Sequence, residues 1–457
     1  MRDRDWQIGL FGTFDVENYG DLLFPLIAEA ELTERLGTVN LHRFSYNDKA
    51  PPDWPYKVTS VVDLPQMASA LDGVLVGGGF IIRFDKEVAP AYGPPTSSIH
   101  HPTGYWLTPA LVALQHNVPL IWNAPGMHCN TVPAWADPLM ELAFRHSSYI
   151  AVRDHLSRSA LARFAGEDRI TIVPDTAFGL SRLLSKEPTA AFKRLRDSLG
   201  LTGNYIVIQA TLGLDSFLHF VKKHARQLRD YRFLALPLGP ALGECASILN
   251  SYNLPRLVRL PEWPQPLLLA ELINHAAAVV GHSYHLAITA LAAGVPVFTP
   301  VELAEGKYSA LLDFEHIFPL TSERAPDLDW FLQRLGKTQP SLAVQTATEL
   351  LAKHWDRVAA VICAGATTTE IAVNQFWQSL PTLLEDGAIR NQDAVKEKEV
   401  ESIKKQRLIE ELTTQLNLTR EDVEARDERS SVDHGSSKRV RPPLRFLMDS
   451  LKRLVRN

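Results

Sequence analysis

The chain has 457 residues, 46% of them hydrophobic and 22% charged, which allows two or three domains and large cores needing no disulfide or metal staples. A formal net charge of -5 argues against a protein that coats nucleic acid. The three cysteines, Cys129, Cys245 and Cys363, are far apart and in no metal-ligand spacing, which argues against a disulfide scaffold and fits a reducing compartment. The start, MRDRDWQIGLFGTF, has no signal-peptide apolar stretch, and no run reaches the roughly 18 apolar residues of a spanning helix. The expected location is the cytoplasm.

In chain order, the apolar runs Ile8–Phe11, Gly73–Val76, Pro119–Trp122, Tyr149–Val152 and Thr171–Val173 read as buried strands. Amphipathic stretches at Leu22–Leu36, Tyr105–His116 and Leu156–Phe164 read as the helices between them. Residues 83–102, rich in Pro, Ser and His, read as a long active-site or surface loop. After a polar helical passage near Ser185–Gly203, a second series begins. Its strand candidates are Tyr205–Ala210, Phe233–Leu238, Ala277–Gly281 and Val295–Pro300, with helices at Ser216–Arg229, Pro266–His275 and Leu286–Ala293. Continuous apolar strands alternating with helices specify parallel sheets covered on both faces. Two such series in succession predict an α/β protein of two Rossmann-like lobes, residues 1–184 and 185–325, in a glycosyltransferase-B-like arrangement with the ligand between them. Residues 326–385 read as closing helices and residues 386–457 as a charged helical extension. In that extension Ile403, Ile409, Leu412 and Leu416 stand at near-heptad spacing, and a basic amphipathic end carries Arg445, Lys452, Arg453 and Arg456. Self-association and contact with an anionic membrane surface are the partners this tail suggests.

Four strand ends carry the candidate chemistry. After the first strand, Gly12 turns the chain through Asn18, Gly20 and Asp21 into a helix. Asp21 reads as its N-cap, and the loop as a ligand contact or a tight capped connection. Gly77, Gly78 and Gly79 follow the next buried strand, where close backbone approach explains three glycines. Arg153 and Asp154 end a third strand, placing a planar guanidinium suited to carboxylate or phosphate where ligands collect; Asp175 ends a fourth. In the second lobe His282, Ser283, Tyr284 and His285 form the turn into an apolar helix, whose free amides favour an anion. His285 can donate to phosphate or exchange a proton. No Cys, Asp or Glu near the two histidines completes a ligand set, so no metal is expected. Lys307 and Tyr308 follow the next strand and reach toward the same cleft.

Taken in order, these elements resemble the polysaccharide pyruvyl transferase family. The series is Gly12 to Asn18-Tyr19-Gly20-Asp21, Gly77-Gly78-Gly79, Val152-Arg153-Asp154 with Ser157, Asp175 in PDTAF, Ser283-Tyr284-His285, and Lys307 after GVPVFTP. The resemblance implies phosphoenolpyruvate as co-substrate, no other cofactor, and a sugar hydroxyl pair of a surface polysaccharide or its precursor as acceptor, joined to pyruvate as a cyclic ketal. It assigns His285 as acid/base or phosphate donor and Arg153 as an anion clamp. His282, Ser283, Tyr284 and Lys307 fall on the phosphate side, and the Asn18–Asp21 loop, Gly77–Gly79 and Asp175 on the acceptor side. Family members often carry arginine where this chain has Ser283. Rival readings are a nucleotide-sugar-dependent glycosyltransferase of the same fold and a non-catalytic sugar-binding scaffold.

Overall fold

The computed structural model describes residues 4–48, 54–84, 104–127, 132–185, 187–304, 306–320, 327–366 and 370–430. Seven strands form the first sheet: β1 (Trp6–Phe11), β2 (Val39–Ser45), β3 (Thr59–Ser60), β4 (Gly73–Val76), β5 (Leu120–Asn123), β6 (Tyr149–Val152) and β7 (Ile170–Ile172). All are parallel, in the order β3-β2-β1-β4-β5-β6-β7. The second sheet holds β8 (Asn204–Gln209), β9 (Tyr231–Leu236), β10 (Leu257–Arg259), β11 (Ala278–Val280), β12 (Val297–Thr299) and β13 (Ile317–Pro319). It repeats the plan as β10-β9-β8-β11-β12-β13, again all parallel. Both orders reverse at the first strand of the sheet, so each sheet has a crevice at the carboxyl ends of its central strands, beside β1 and β4 and beside β8 and β11.

The physical cause is visible in the central strands. β4 and β5 are buried at every residue, and β8 at all but its first. Strands buried on both faces need helices on both sides, and the connections supply them. The first lobe has α1 (Tyr19–Leu36), α2 (Leu64–Met67), α3 (Gly104–Gln115), α4 (Asp137–Arg145) and α5 (His155–Ala165). The second has α6 (Ala190–Ser198), α7 (Asp215–Lys223), α8 (Pro266–Asn274) and α9 (Tyr284–Ala292). This is the two-lobed, glycosyltransferase-B-like α/β fold expected. Four strands absent from the sequence reading, β2, β3, β10 and β13, lie toward the sheet edges. There one face or end meets water and polar residues interrupt the apolar run; β10 has no fully buried residue.

The lobes are joined at the start of α1. Tyr19 donates its amide to the Leu238 carbonyl (2.7 Å), and its buried hydroxyl meets Thr289 Oγ1 of α9 at 2.8 Å. Farther on, α10 (Leu328–Leu332) precedes α11 (Leu342–Ala364), which returns to the first lobe. There His354 Nε2 meets Asn123 Oδ1 at 2.8 Å, and Trp355, Val358 and Ile362 enter the core.

By internal contacts the chain divides into a large unit holding both sheets and a second unit made of Pro133–Ala136 and the chain from Leu380. α12 (Glu370–Ser430) is one continuous helix, so position 385 falls within it. Of its near-heptad residues, Ile403 is exposed, Ile409 and Leu412 are half-buried, and the Leu416 side chain lies outside the described ones. The basic end, the loop from residue 85 to 102 and Cys129 also lie outside the described residues. Among those described, no helix is long and apolar enough to cross a membrane.

Candidate active site

The carboxyl ends of β1, β4, β6, β8 and β11 open on one cleft of about 710 Å³. Thr13, Asn18, Asp21, Gly79 and Arg153 line it from the first lobe; Gln209, Glu244, His282–His285 and Lys307 line it from the second. Gly20, Gly77, Gly78 and Asp175 stand behind the wall. At Gly78, φ is +99°, and a Cβ would come 2.4 Å from the Phe24 ring. The triple-glycine turn thus packs down on α1, and only Gly79 reaches the cleft.

Arg153 is held beneath the floor. Its side chain is 2% exposed, with Nη1 3.0 Å from Asp175 Oδ2 and Nε 3.6 Å from Asp154 Oδ2. The guanidinium lies 3.7 Å over the Phe80 ring and 5.1 Å from that of Tyr284. Nη2 is buried with no hydrogen-bond partner among the described residues. Leaving a charged donor unmet is costly, and an anionic ligand in the cleft would meet it. Asp154 caps α5, its Oδ1 accepting from the Ser157 amide at 2.7 Å, while Ser157 Oγ accepts from the Met127 amide at 2.8 Å.

Asp175 stands beside Arg153 and His285. Its Oδ1 accepts from the Ala177 amide at 3.0 Å, and Oδ2 lies between Arg153 and His285 Nε2, 3.8 Å from the latter. Burial pushes the His285 imidazole down to about 4, against the pull of Asp175, so the ring is neutral near pH 7. Nε2 has no hydrogen-bond partner among the described residues, and the ring stands edge-on to Phe24 at 5.4 Å. Gly20 is what lets the ring sit there: a Cβ at that position would fall 1.8 Å from His285 Nδ1. Lys307 lies 5.9 Å from the Tyr284 ring. Burial and then repulsion from Arg153 bring its ammonium down to about 8.

Asp21 departs from its sequence reading. The N-cap position of α1 is Asn18, whose side chain caps nothing, and Asp21 lies in the first turn. Its Oδ2 accepts from Thr13 Oγ1 (2.7 Å) and Asn18 Nδ2 (3.0 Å), leaving Oδ1 on the side of Gly79. Burial, against the opposing Thr13 hydrogen bond, raises this carboxyl to about 7. The cleft therefore holds a carboxylic acid able to give a proton near neutrality and an imidazole able to take one. Groups whose environments drive their pKa values in these directions divide acid and base roles.

The helix terminus of α9 also differs from expectation. Ser283 is its N-cap, with Oγ accepting from the Leu286 amide at 3.4 Å. The amides of His282 and Ser283 both donate to Gln209 Oε1, each at 2.8 Å, so they are already satisfied. Gln209 went unnoticed in the sequence, although a lone polar residue closing the run YIVIQ at a strand's carboxyl end is a visible signal. Among the described residues no three His, Cys, Asp or Glu side chains gather as metal ligands.

Two Rossmann-like lobes whose central strands end on one cleft define the glycosyltransferase-B-like class of fold. The family model for polysaccharide pyruvyl transferases matches residues 18–300, more than half of the chain, and the protein belongs to that family. No curated protein matches the sequence. Similar solved structures include UDP-GlcNAc 2-epimerase from Methanocaldococcus jannaschii, at 12% identity and a TM-score of 0.48, covering 79% of this chain and 100% of that one. The corresponding epimerase from Neisseria meningitidis bound to UDP-GlcNAc matches at 13% identity and 0.44, covering 77% and 93%. Anabaena Alr3699/HepE in complex with UDP-glucose matches at 13% and 0.43, covering 83% and 99%.

Proposed function

We propose that the protein transfers pyruvate from phosphoenolpyruvate to a pair of hydroxyls on a sugar of a surface polysaccharide or its precursor, forming a cyclic ketal. The observation that carries this reading is the buried Arg153, which shares a cleft with Lys307, Asp21 and His285 and whose Nη2 has no hydrogen-bond partner among the described residues. A small donor with a carboxylate and a phosphate matches two fixed cations, and preorganised charge of this kind needs no rearrangement at the moment of reaction.

The chemistry then follows from the protonation states. Asp21 gives its proton to the methylene carbon, the enol π pair forms the new C–H bond, and positive charge falls on C2, shared by the oxygen bearing phosphate. A sugar hydroxyl oxygen bonds to C2 and passes its proton to neutral His285. The C2–O bond to phosphate breaks with its electron pair, and the departing phosphate takes the proton from His285. The second hydroxyl closes the ketal and returns a proton to the Asp21 carboxylate. Arg153 and Lys307 hold the donor's anionic groups throughout.

Calorimetric titration with phosphoenolpyruvate tests the donor. Saturable binding that is lost in Arg153→Ala supports the reading, and binding of a nucleotide sugar in its place overturns it. His285→Ala is expected to abolish phosphate release in the presence of acceptor sugars while leaving the circular dichroism spectrum unchanged; retained turnover removes the role given to His285.

A further inference from the structure

At the α9 terminus, backbone amides and a helix dipole converge on the cleft, and the two amides just before its first turn, those of His282 and Ser283, are taken by the protein itself. Gln209 is 1% exposed. Its Oε1 receives the His282 and Ser283 amides, while its Nε2 donates to Glu244 Oε1 at 2.5 Å. Glu244 is fixed in turn, its Oε2 accepting from the amides of Leu238 (2.6 Å) and Gly239 (3.2 Å). The carboxylate sets the orientation of the side-chain amide, since a flip would place NH₂ against two backbone donors and a carbonyl against an anion. Gly281 makes the room: a Cβ there would lie 2.5 Å from Gln209 Oε1.

A neutral carbonyl oxygen therefore occupies the seat that a ligand phosphate oxygen would take at this turn, and a carboxylate stands behind it. A second phosphoryl group on that side would find two amides already bonded and a negative charge facing it. Arg153 stands on the first-lobe side of the cleft, and Lys307 lines the same cleft from the second lobe. We propose that Gln209 and Glu244 form a built-in plug that closes the second-lobe helix terminus to diphosphates, limiting the donor to a molecule with a single phosphoryl group. The inference deepens the phosphoenolpyruvate reading, because it separates that donor from nucleoside diphosphate sugars by geometry rather than by resemblance.

The test is calorimetry with inorganic phosphate, pyrophosphate and UDP on the full-length protein, Glu244→Gln and the double variant Gln209→Ala/Glu244→Gln. The wild type is expected to bind pyrophosphate no more than threefold tighter than phosphate. The double variant is expected to bind pyrophosphate and UDP at least tenfold tighter than the wild type. Glu244→Gln keeps the side-chain shape and removes only the charge, so it stands in if the double variant does not fold; at least a threefold gain for pyrophosphate is expected. A wild type that prefers pyrophosphate or UDP tenfold over phosphate overturns the proposal, as does a folded variant with no gain. Phosphoenolpyruvate titrated into the wild type keeps the two ideas apart: its failure to bind, with pyrophosphate still no more than threefold tighter than phosphate, would remove the donor assignment and leave the plug standing.

Discussion

Replacing Arg153 with alanine does two separable things, and the structure sets the size of the first. The Arg153–Asp175 pair spans 3.0 Å between side chains 2% and 1% exposed. Removing one member of so deeply buried a pair leaves an uncompensated charge and costs roughly 3–5 kcal/mol. Two features soften the loss here: Asp175 Oδ1 keeps the Ala177 amide, and His285 Nε2 stands 3.8 Å from Oδ2. With the guanidinium gone, the Asp175 charge would draw the imidazole upward from about 4, so His285 would carry a compensating proton in mild acid and none at pH 8. Urea unfolding of Arg153→Ala should therefore show a loss of about 3 kcal/mol at pH 8 and a smaller one at pH 5.5. Arg153→Ala/Asp175→Asn should recover at least half of the loss at pH 8, because no stranded charge remains. A loss below about 1 kcal/mol, or a double variant no more stable than the single one, would refute the account of Arg153 as a buried, neutralised clamp.

Gly20→Ala puts a methyl group 1.8 Å from His285 Nδ1 and must turn the ring out of place. Misplacement of about 1 Å costs on the order of 10²-fold in turnover, while overpacking costs about 1–3 kcal/mol; single-turnover assays and melting curves read the two, and unchanged turnover would separate His285 from the chemistry. For pH dependence, Asp21 must hold its proton and His285 must lack one, so kcat/KM should fall above about pH 7 and below about pH 4. The raised folded-state pKa of Asp21 gives stability that is present below the ordinary carboxylate range and lost as pH rises through about 7. Asp21→Asn should accordingly be more stable than the wild type at pH 8 while losing turnover, as measured by parallel unfolding and phosphate release. His285 has the opposite sign: its contribution is present above the ordinary imidazole range and lost as pH falls through about 4. Tyr19→Phe removes the hydroxyl contact with Thr289 across the lobes and should cost about 1 kcal/mol; no loss of melting temperature would assign the joint to the Tyr19 backbone alone.

The centre of each sheet was legible because parallel strands buried on both faces leave unbroken apolar runs, as at Gly73–Val76 and Tyr205–Gln209. β2, VNLHRFS, was not: second from the sheet edge, its apolar run is interrupted by His42 and Arg43, which remain partly in solvent. Strand-end logic brought Arg153, His285, Lys307 and Asp21 to notice, since residues at carboxyl ends of parallel strands collect at the crevice. It does not say which of them is buried. The burial of these groups comes largely from packing between segments distant in sequence, as with Phe24 beside His285 and Phe80 under Arg153. Gln209 and Glu244 were missed for the same reason, their partners being 73 or 74 and 35 residues away.

Ser283 shows how one substitution in a motif becomes intelligible once its neighbours are known. An arginine at that N-cap position would add a cation to the helix terminus; serine instead caps α9 through Leu286 and adds no charge. The chain places its buried guanidinium on the first lobe, where Asp175 and Asp154 fix it and Nη2 has no hydrogen-bond partner among the described residues. In the proposed reaction the anion would be held chiefly from the first-lobe side, the second lobe contributing Lys307 and a neutral imidazole, while Gln209 accepts two amides that a charged ligand would otherwise compete for. Arg153 follows β6 and Asp21 lies in the first turn of α1, so in the proposed reaction the distance between clamp and proton donor would be set within the first lobe. Lobe movement would alter access of the acceptor while leaving that distance unchanged.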